Sequence, residues 1–156
     1  MVESYLARDG QRLAFTMIEL IFVIVILGIL SAVAIPKLAA SRDDAIVVKG
    51  KSQVSSIRSG ISLLKSKRLL EGNVSTITTL DSATANTEGQ NLFYGGTFGN
   101  ILEYPILSKN GDGNWMKTGT TSYTYTISGV VNQFDYNATS GQFNCTSGSD
   151  CTTLTQ

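Results

Sequence analysis

The sequence has no histidine, only two cysteines and only two prolines among 156 residues. Without histidine, the chain lacks the commonest general base, the commonest metal ligand and the base of a Ser-His or Cys-His pair. Two cysteines cannot by themselves complete a structural zinc site, which takes four nitrogen or sulfur ligands. Charged residues make up only 15% of the chain. These shortages argue against an enzyme and favour an exported structural or adhesive protein.

The remaining acids form no recognisable catalytic pair. Glu103, Asp112 and Asp135 are scattered through the second half of the chain, and their spacing does not indicate paired acid-base work. No glycine-rich loop ending in Gly-Lys-Ser or Gly-Lys-Thr is present, so a nucleotide site is not indicated either. An anchored hydrolase would have to be built from those acids alone.

Charge is divided unevenly along a chain whose formal net charge is zero. Residues 37–68 carry a net charge of +6 and residues 71–156 a net charge of −5. This asymmetry predicts a basic stem followed by an acidic head. DNA binding by the stem and a solvated basic helix face are both compatible with it, and no nucleic-acid site is evident.

A long apolar run begins at Phe15. Residues 15–35 contain a single charge, Glu19, and as a helix they would extend roughly 30 Å, the thickness of a bilayer core. A carboxylate in the apolar phase costs roughly 2.5–3.5 kcal/mol, so Glu19 is expected to have a partner and a role. A plain membrane anchor explains the length but not the acid. A cleaved secretory signal, with its apolar core at residues 20–30 and cleavage at 32–34, is a second interpretation.

A third interpretation accounts for the acid as well. The residues Ala14-Phe15-Thr16-Met17-Ile18-Glu19-Leu20 resemble the processing site of type IV prepilins and type II secretion pseudopilins. The resemblance implies that a prepilin peptidase removes the leader, residues 1–14, by cutting between Ala14 and Phe15. It also implies that the new amino group of Phe15 is methylated. In this family the residue before the cut is usually glycine, and here it is Ala14.

The resemblance further assigns an assembly role to the apolar segment. It implies that Glu19 of one subunit neutralises the Phe15 amino group of its neighbour in a filament. Gly28 and Pro36 fall where family members often have helix-loosening residues. Pro36 is also expected to kink the helix or to mark the end of the apolar segment.

The family's architecture is an α+β fold, in which a long helix packs on a small antiparallel sheet. The pattern beyond Pro36 agrees, because apolar residues at spacings of three and four predict an amphipathic helix that ends near Gly72. That apolar stripe consists of Val47, Gly50, Val54, Ile57, Ile61 and Leu64. The predicted segments are 15–36 (membrane and filament-core helix), 37–71 (amphipathic helix), 72–119 (variable loops) and 120–156 (β-meander with a disulfide loop).

The β-meander is predicted from apolar residues that alternate with polar ones. Three strands are predicted, at 122–127, 130–136 and 142–145, with a turn at Ser128-Gly129. Cys145 and Cys151 are the only cysteines, so in an exported head they are expected to form a disulfide. Such a loop is frequent in type IV pilins.

Two kinds of surface site are suggested by short motifs. Asn137 and Asn73 each begin an Asn-X-Ser/Thr triplet with an acid two residues earlier, which resembles the stricter acceptor of some bacterial glycosylation systems. Asn137 is the better candidate, because a turn is predicted there. Residues 110–114 resemble part of a calcium loop around Asp112, although a glycine-rich turn explains the same residues. No cofactor is otherwise expected.

The combined prediction is a filament subunit rather than an enzyme. The first candidate is a pseudopilin of a type II secretion-like or DNA-uptake system, and the alternatives are a major or minor pilin and a membrane-tethered module that never polymerises. Expected partners are other pilin copies, the prepilin peptidase, membrane lipid, and an inner-membrane platform with its ATPase. The short mature chain of 142 residues (156 less the 14-residue leader) and Glu19 favour a polymerising subunit. The subunit is expected to span the inner membrane once, with a periplasmic head, and to leave it for a periplasmic or extracellular filament.

Overall fold

The structure is a computed structural model, and it describes residues 15–156. The chain divides into two units at residue 39. We call residues 15–39 the stem segment and residues 40–156 the head. The predicted leader, residues 1–14, lies outside the described residues, and Ala14 is part of it.

The first element, α1, is a helix over Met17–Leu70. In the stem segment its side chains are exposed rather than packed, as in Phe22 at 65% and Ile35 at 66% exposure. Pro36 lies inside the helix. The apolar run therefore ends beside this proline, as expected, but the helix does not.

Within the head, α1 packs its apolar stripe against a sheet. Val54, Ile57 and Ile61 are almost completely buried, and they share one core with the strands. The predicted stripe is confirmed with one shift, because Ile46 is buried while Val47 is only partly so. The Tyr125 hydroxyl donates to the Ile46 carbonyl at 2.8 Å, and this bond holds the start of the stripe against the sheet.

Gly60 lets α1 approach a loop of the head more closely than any other residue would. A Cβ at this position would lie 2.1 Å from the carbonyl oxygen of Ile101. Because that atom belongs to the backbone, it cannot rotate away as a side chain could.

The helix ends in a Schellman motif centred on Gly72. The Gly72 N–H donates to the Leu69 carbonyl at 3.1 Å, and the Asn73 N–H donates to the Arg68 carbonyl at 2.8 Å. Gly72 has φ +78°, a left-handed conformation that glycine adopts without strain. The predicted cap at Gly72 is confirmed.

Six strands and a short helix follow. A two-stranded sheet joins β1 (Asn91–Leu92) to β2 (Ile106–Leu107), and a four-stranded antiparallel sheet has the order β3-β4-β5-β6. The strands of the larger sheet are β3 (Trp115–Lys117), β4 (Ser122–Ile127), β5 (Val130–Asn137) and β6 (Gln142–Ser147), and α2 covers Cys151–Thr155. The α+β architecture of a long helix with small antiparallel sheets is confirmed.

Two sequence expectations for this region are corrected. The sheet has four strands rather than three, because β3 pairs with β4 in the register Trp115↔Tyr125. In addition, residues 72–119 are not only loops, since they supply β1, β2 and β3. These strands are two or three residues long, too short for an alternating pattern to show in the sequence.

The core of the head contains a cluster of aromatic rings. Trp115 has its ring centroid 5.0 Å from those of Tyr125 and Phe134, and Phe134 stacks on Phe143 at 5.3 Å. Such pairs contribute roughly 0.5–1.5 kcal/mol each beyond the area they bury. Phe93 is completely buried, whereas Tyr104 is 78% exposed.

Candidate functional site

The amino end of α1 is closed by a reciprocal pair of hydrogen bonds between Thr16 and Glu19. The Thr16 N–H donates to Glu19 Oε2 at 2.9 Å, and the Glu19 N–H donates to Thr16 Oγ1 at 3.3 Å. The Thr16 hydroxyl also donates to Glu19 Oε2, at 2.8 Å. This arrangement is a capping box, which satisfies donors that a helix start otherwise leaves unpaired.

The cap gives Glu19 a partner within its own chain. Its carboxylate lies in the first helical turn, where the positive end of the helix dipole also favours a negative charge. The sequence reasoning identified the acid but missed Thr16. The available signal was the spacing Thr-x-x-Glu directly before an apolar run.

Phe15 precedes this cap and is 86% exposed. Removal of the predicted leader would give Phe15 a free amino group, which is mostly protonated at pH 7. That charge would then stand one residue from Thr16, at the same helix end as the Glu19 carboxylate. The cut itself involves Ala14, outside the described residues.

The apolar surface of the stem segment is the second part of the site. The segment is long and apolar enough to cross a membrane, and it lies near the amino terminus. Side chains on every side of the helix are exposed, so no face of it is covered in residues 15–38, where the structure describes the side chains. A helix that is apolar all round is expected to be surrounded by lipid or by other helices.

The two residues predicted to loosen the helix lie in regular helix. A Cβ added at Gly28 would have no atom within 4 Å, and Pro36 is followed by further helical residues. A helix-loosening role for either residue remains a prediction.

The Cys145–Cys151 disulfide closes a short loop near the carboxyl end of the sequence. The two Cα atoms are 5.4 Å apart, and the bond joins β6 to the start of α2. Leu154 of α2 is 1% exposed, so the short helix that follows the disulfide is packed into the core. The expected disulfide is present.

A buried ion pair that the sequence did not reveal fixes the middle of the head. Lys117 Nζ lies 2.6 Å from Asp81 Oδ1, with side-chain exposures of 6% and 0%. Asp81 Oδ2 also accepts from the Phe93 N–H and from the Tyr123 hydroxyl, each at 2.9 Å. Burial and the adjacent Asp81 carboxylate raise the pKa of Tyr123, so its hydroxyl stays protonated and donates.

The two predicted glycosylation asparagines are both exposed. Asn73 follows the end of α1, and its Oδ1 accepts from the Ser75 hydroxyl at 2.6 Å. Asn137 is the last residue of β5, and its Oδ1 accepts from the N–H groups of Thr139 and Ser140. Residues of both triplets line one cavity of about 50 Å³.

The suggested calcium loop forms a turn held by its own side chains. Asp112 Oδ1 accepts from the Gly129 N–H at 2.7 Å, and Asn114 Nδ2 donates to the Asp112 carbonyl at 3.1 Å. Among residues 15–156, no group of three or more His, Cys, Asp or Glu side chains could hold a metal ion. Calcium binding at Asp112 remains a prediction.

The acids considered for catalysis are engaged in structure or exposed. The Asp135 carboxylate accepts from the hydroxyls of Ser122 and Thr146 on neighbouring strands. Glu103 is exposed on a loop. These placements give no indication of paired acid-base chemistry.

Comparison with known families gives one match. Residues 11–35 match the prokaryotic N-terminal methylation motif. No curated protein and no solved structure matches the chain. The matched residues are the prepilin-type cleavage and methylation segment of type IV pilin family proteins, which confirms the resemblance drawn from the sequence.

Proposed function

We propose that this chain, which carries the prepilin-type segment of type IV pilin family proteins, is a filament subunit that polymerises through its stem segment. The motif at residues 11–35 is the observation that carries the proposal. It supports a pilin-like filament subunit, and it implies processing by prepilin peptidase and polymerisation with other pilins. The apolar segment and the motif together fit a protein anchored in the inner membrane.

Assembly depends in this proposal on how Glu19 is paired. Among residues 15–156 of a single copy, the carboxylate is bound only by Thr16, which leaves a full negative charge against neutral donors. A neighbouring copy would bring the protonated Phe15 amino group to that carboxylate, and a charge-assisted hydrogen bond is roughly twice as strong as a neutral one. Glu19 would therefore set the register in which a new copy joins the filament.

The energy source and the remaining partners belong to the same proposal. Filament growth moves an apolar helix out of lipid, and an inner-membrane platform with its ATPase would supply that work. The head would lie in the periplasm before assembly. The Cys145–Cys151 disulfide supports this placement, because such bonds form and persist in oxidising compartments.

We put a pseudopilin of a type II secretion-like or DNA-uptake system first among the possible filaments. The short mature chain of 142 residues and Glu19 favour a polymerising subunit, which is a property that a pseudopilin and a pilin share. The second candidate is a pilin of an extracellular pilus. The disulfide loop favours it, because type IV pilins often close their carboxyl-terminal loop in this way.

The mass of the full chain isolated from its own membranes tests the proposal. We expect a chain that begins at Phe15 and carries one methyl group on its amino terminus. A chain that begins at Met1 would contradict processing and with it the filament. A chain that begins at residue 35 would instead establish a secretory signal, cleaved after residues 32–34. Immunogold labelling of sheared and intact cells then distinguishes an extracellular pilus from a periplasmic pseudopilus.

A further inference from the structure

The two Asn-X-Ser/Thr triplets are far apart in the chain but meet in the head. Residues 73–77 follow the end of α1, and residues 138–141 form the turn between β5 and β6. Both segments line the same small cavity, together with Lys65 and Arg68 of α1. The structure therefore presents two acceptor-like asparagines on one part of the head surface.

The two triplets differ in how firmly their backbones are held. Asn137 pairs with Gln142 in the ladder, and its carbonyl accepts from the Gly141 N–H at 2.7 Å. Residues 74–79 belong to no helix or strand, and Val74 is 84% exposed. An enzyme that takes the triplet in an extended form could draw out residues 73–75 by breaking the Asn73 N–H bond to the Arg68 carbonyl and the side-chain bonds of Ser75, with no strand pairing lost. It could not do so at Asn137.

The acids that precede the two asparagines also differ. Glu71, two residues before Asn73, is exposed, and its carboxylate has only a long contact of 3.9 Å to Lys67 Nζ. Asp135, two residues before Asn137, accepts hydrogen bonds from Ser122 and Thr146 within the sheet. An enzyme that requires this acid would find Glu71 free and Asp135 occupied.

Two side-chain bonds hold the Asn73 triplet in place. The Ser75 hydroxyl donates to Asn73 Oδ1 and accepts from Arg68 Nη2, both at 2.6 Å. Among the described residues, Asn73 Nδ2 makes no hydrogen bond, so the nitrogen that would be modified has no competing partner. The Ser75 hydroxyl and the Asn73 side-chain amide are both exposed, and neither belongs to the buried core of the head.

We propose that Asn73 is an N-glycosylation site. The reaction would join Asn73 Nδ2 to the anomeric carbon of an oligosaccharide carried on a lipid diphosphate. The carbon–oxygen bond to the diphosphate breaks, the lipid diphosphate leaves, and the amide nitrogen loses one proton. The catalyst would be a membrane oligosaccharyltransferase that requires an acid two residues before the asparagine. This inference rests on the periplasmic placement of the head in the proposed function.

A glycan at Asn73 would lie beside an apolar part of the head surface. Leu70 is 90% exposed and Val74 is 84% exposed. Neighbouring apolar groups of this kind promote association between molecules. Carbohydrate attached between them would cover this part of the head in the assembled protein.

The chain contains a matched internal control that the sequence analysis overlooked. Asn144-Cys145-Thr146 is a third Asn-X-Ser/Thr triplet, but Gln142 replaces the acid two residues earlier. Asn144 lies in β6, and its neighbour Cys145 is fixed by the disulfide. We expect Asn73 to be modified most, Asn137 less, and Asn144 not at all.

Glycopeptide mapping of the full chain from its own membranes tests this order. We expect peptides containing Asn73 to be heavier by a whole number of sugar residues, and Asn73→Gln to remove that increase. Glu71→Gln should also remove it while leaving the asparagine in place. Asn144→Gln should change nothing, and retention of the Cys145–Cys151 disulfide in each variant verifies that the head has folded.

The same measurement separates this inference from the proposed function. Unmodified Asn73 in a chain that begins at methylated Phe15 would overturn the glycosylation site and leave the filament proposal standing. A chain that begins at Met1 would overturn the filament proposal. Full modification of Asn73 in the Glu71→Gln variant would overturn the requirement for the acid, and sugar on Asn144 would overturn the order derived from the structure.

Discussion

Apolar and acidic side chains have different surroundings in the stem segment and in the head. In the stem segment, aliphatic residues are exposed, and the described part of the chain offers the Glu19 carboxylate no partner beyond its own helix turn. In the head, a core of apolar residues is buried, and the Asp81 carboxylate is completely buried and paired with Lys117. The head thus completes its interactions internally, whereas the stem segment leaves them to be completed by lipid or by other chains.

Glu19→Ala is expected to have the largest effect, because it removes the charge through which copies would recognise each other. We expect filaments to be lost while the thermal unfolding of the head is unchanged. Electron microscopy of sheared filaments measures the first, and near-ultraviolet circular dichroism in detergent measures the second.

Thr16→Val separates the cap from the charge. It keeps the carboxylate of Glu19 but removes the hydroxyl bonds, at a cost of about 1 kcal/mol to the helix start. Filaments should persist in this control. Normal filaments from Glu19→Ala would contradict the assembly role.

Asp81→Ala tests the opposite region. It would leave Lys117 charged and buried without its partner, and removing one member of a buried pair costs roughly 3–5 kcal/mol. We expect the head to unfold at a much lower temperature, or not to fold. The double variant Asp81→Ala, Lys117→Met is the control and should recover part of the loss. An unchanged melting temperature for Asp81→Ala would show that the pair does not hold the head.

Reduction of the Cys145–Cys151 disulfide is expected to destabilise the head by about 2 kcal/mol, the loop-entropy value for a ring of this size. Denaturant unfolding with and without reductant measures the difference. The variant Cys145→Ser, Cys151→Ser should behave like the reduced protein and should not respond to reductant. A response of that variant to reductant would show that the reductant acts on something other than this disulfide.

Gly60→Ala and Gly28→Ala compare the two regions at a single methyl group. At Gly60 the methyl would collide with the Ile101 carbonyl, and overpacking of this kind typically costs 1–3 kcal/mol. At Gly28 the methyl would meet nothing within the chain, so alanine should improve helix propensity by up to about 1 kcal/mol. Unfolding of the head and helix content by circular dichroism are the two measurements. Equal effects at both glycines would contradict the difference between the regions.

Acid should produce the smallest effect, through Asp135. Burial raises the pKa of this carboxyl, but hydrogen bonds from Ser122, Thr146 and Gln133 outweigh it, so the pKa is lower in the folded head. A lowered pKa contributes stability above the unfolded value, and that stability is lost as the pH falls through the folded value. The melting temperature should therefore decline as the pH falls from the unfolded pKa of Asp135 to its lower folded pKa. The decline should be smaller in Asp135→Asn. An identical decline in both proteins would assign it to other acids.

The sequence predicted the features that depend on repeated or local patterns. The stripe from Val54 to Leu64, the strands β4 to β6 and the cap at Gly72 follow from periodicity or from one residue's backbone preference. The methylation motif is likewise local and is contained in residues 11–35.

The sequence did not predict the features that depend on tertiary contacts. Asp81 and Lys117 are 36 positions apart, and no local sequence pattern around either residue indicates that the two pair. Strand β3 has three residues, all buried, so no alternation marks it. Thr16 is different, because its spacing to Glu19 is a local pattern from which the capping box could have been predicted.

The uncovered apolar side chains of the stem segment have a practical consequence for anyone preparing the polymer. In the proposed assembly, hydrocarbon tails and sister helices would compete for one and the same set of side chains. A surfactant that extracts the subunit efficiently would then also dissolve the fibre. Mechanical shearing in plain buffer would be the gentler route to intact specimens.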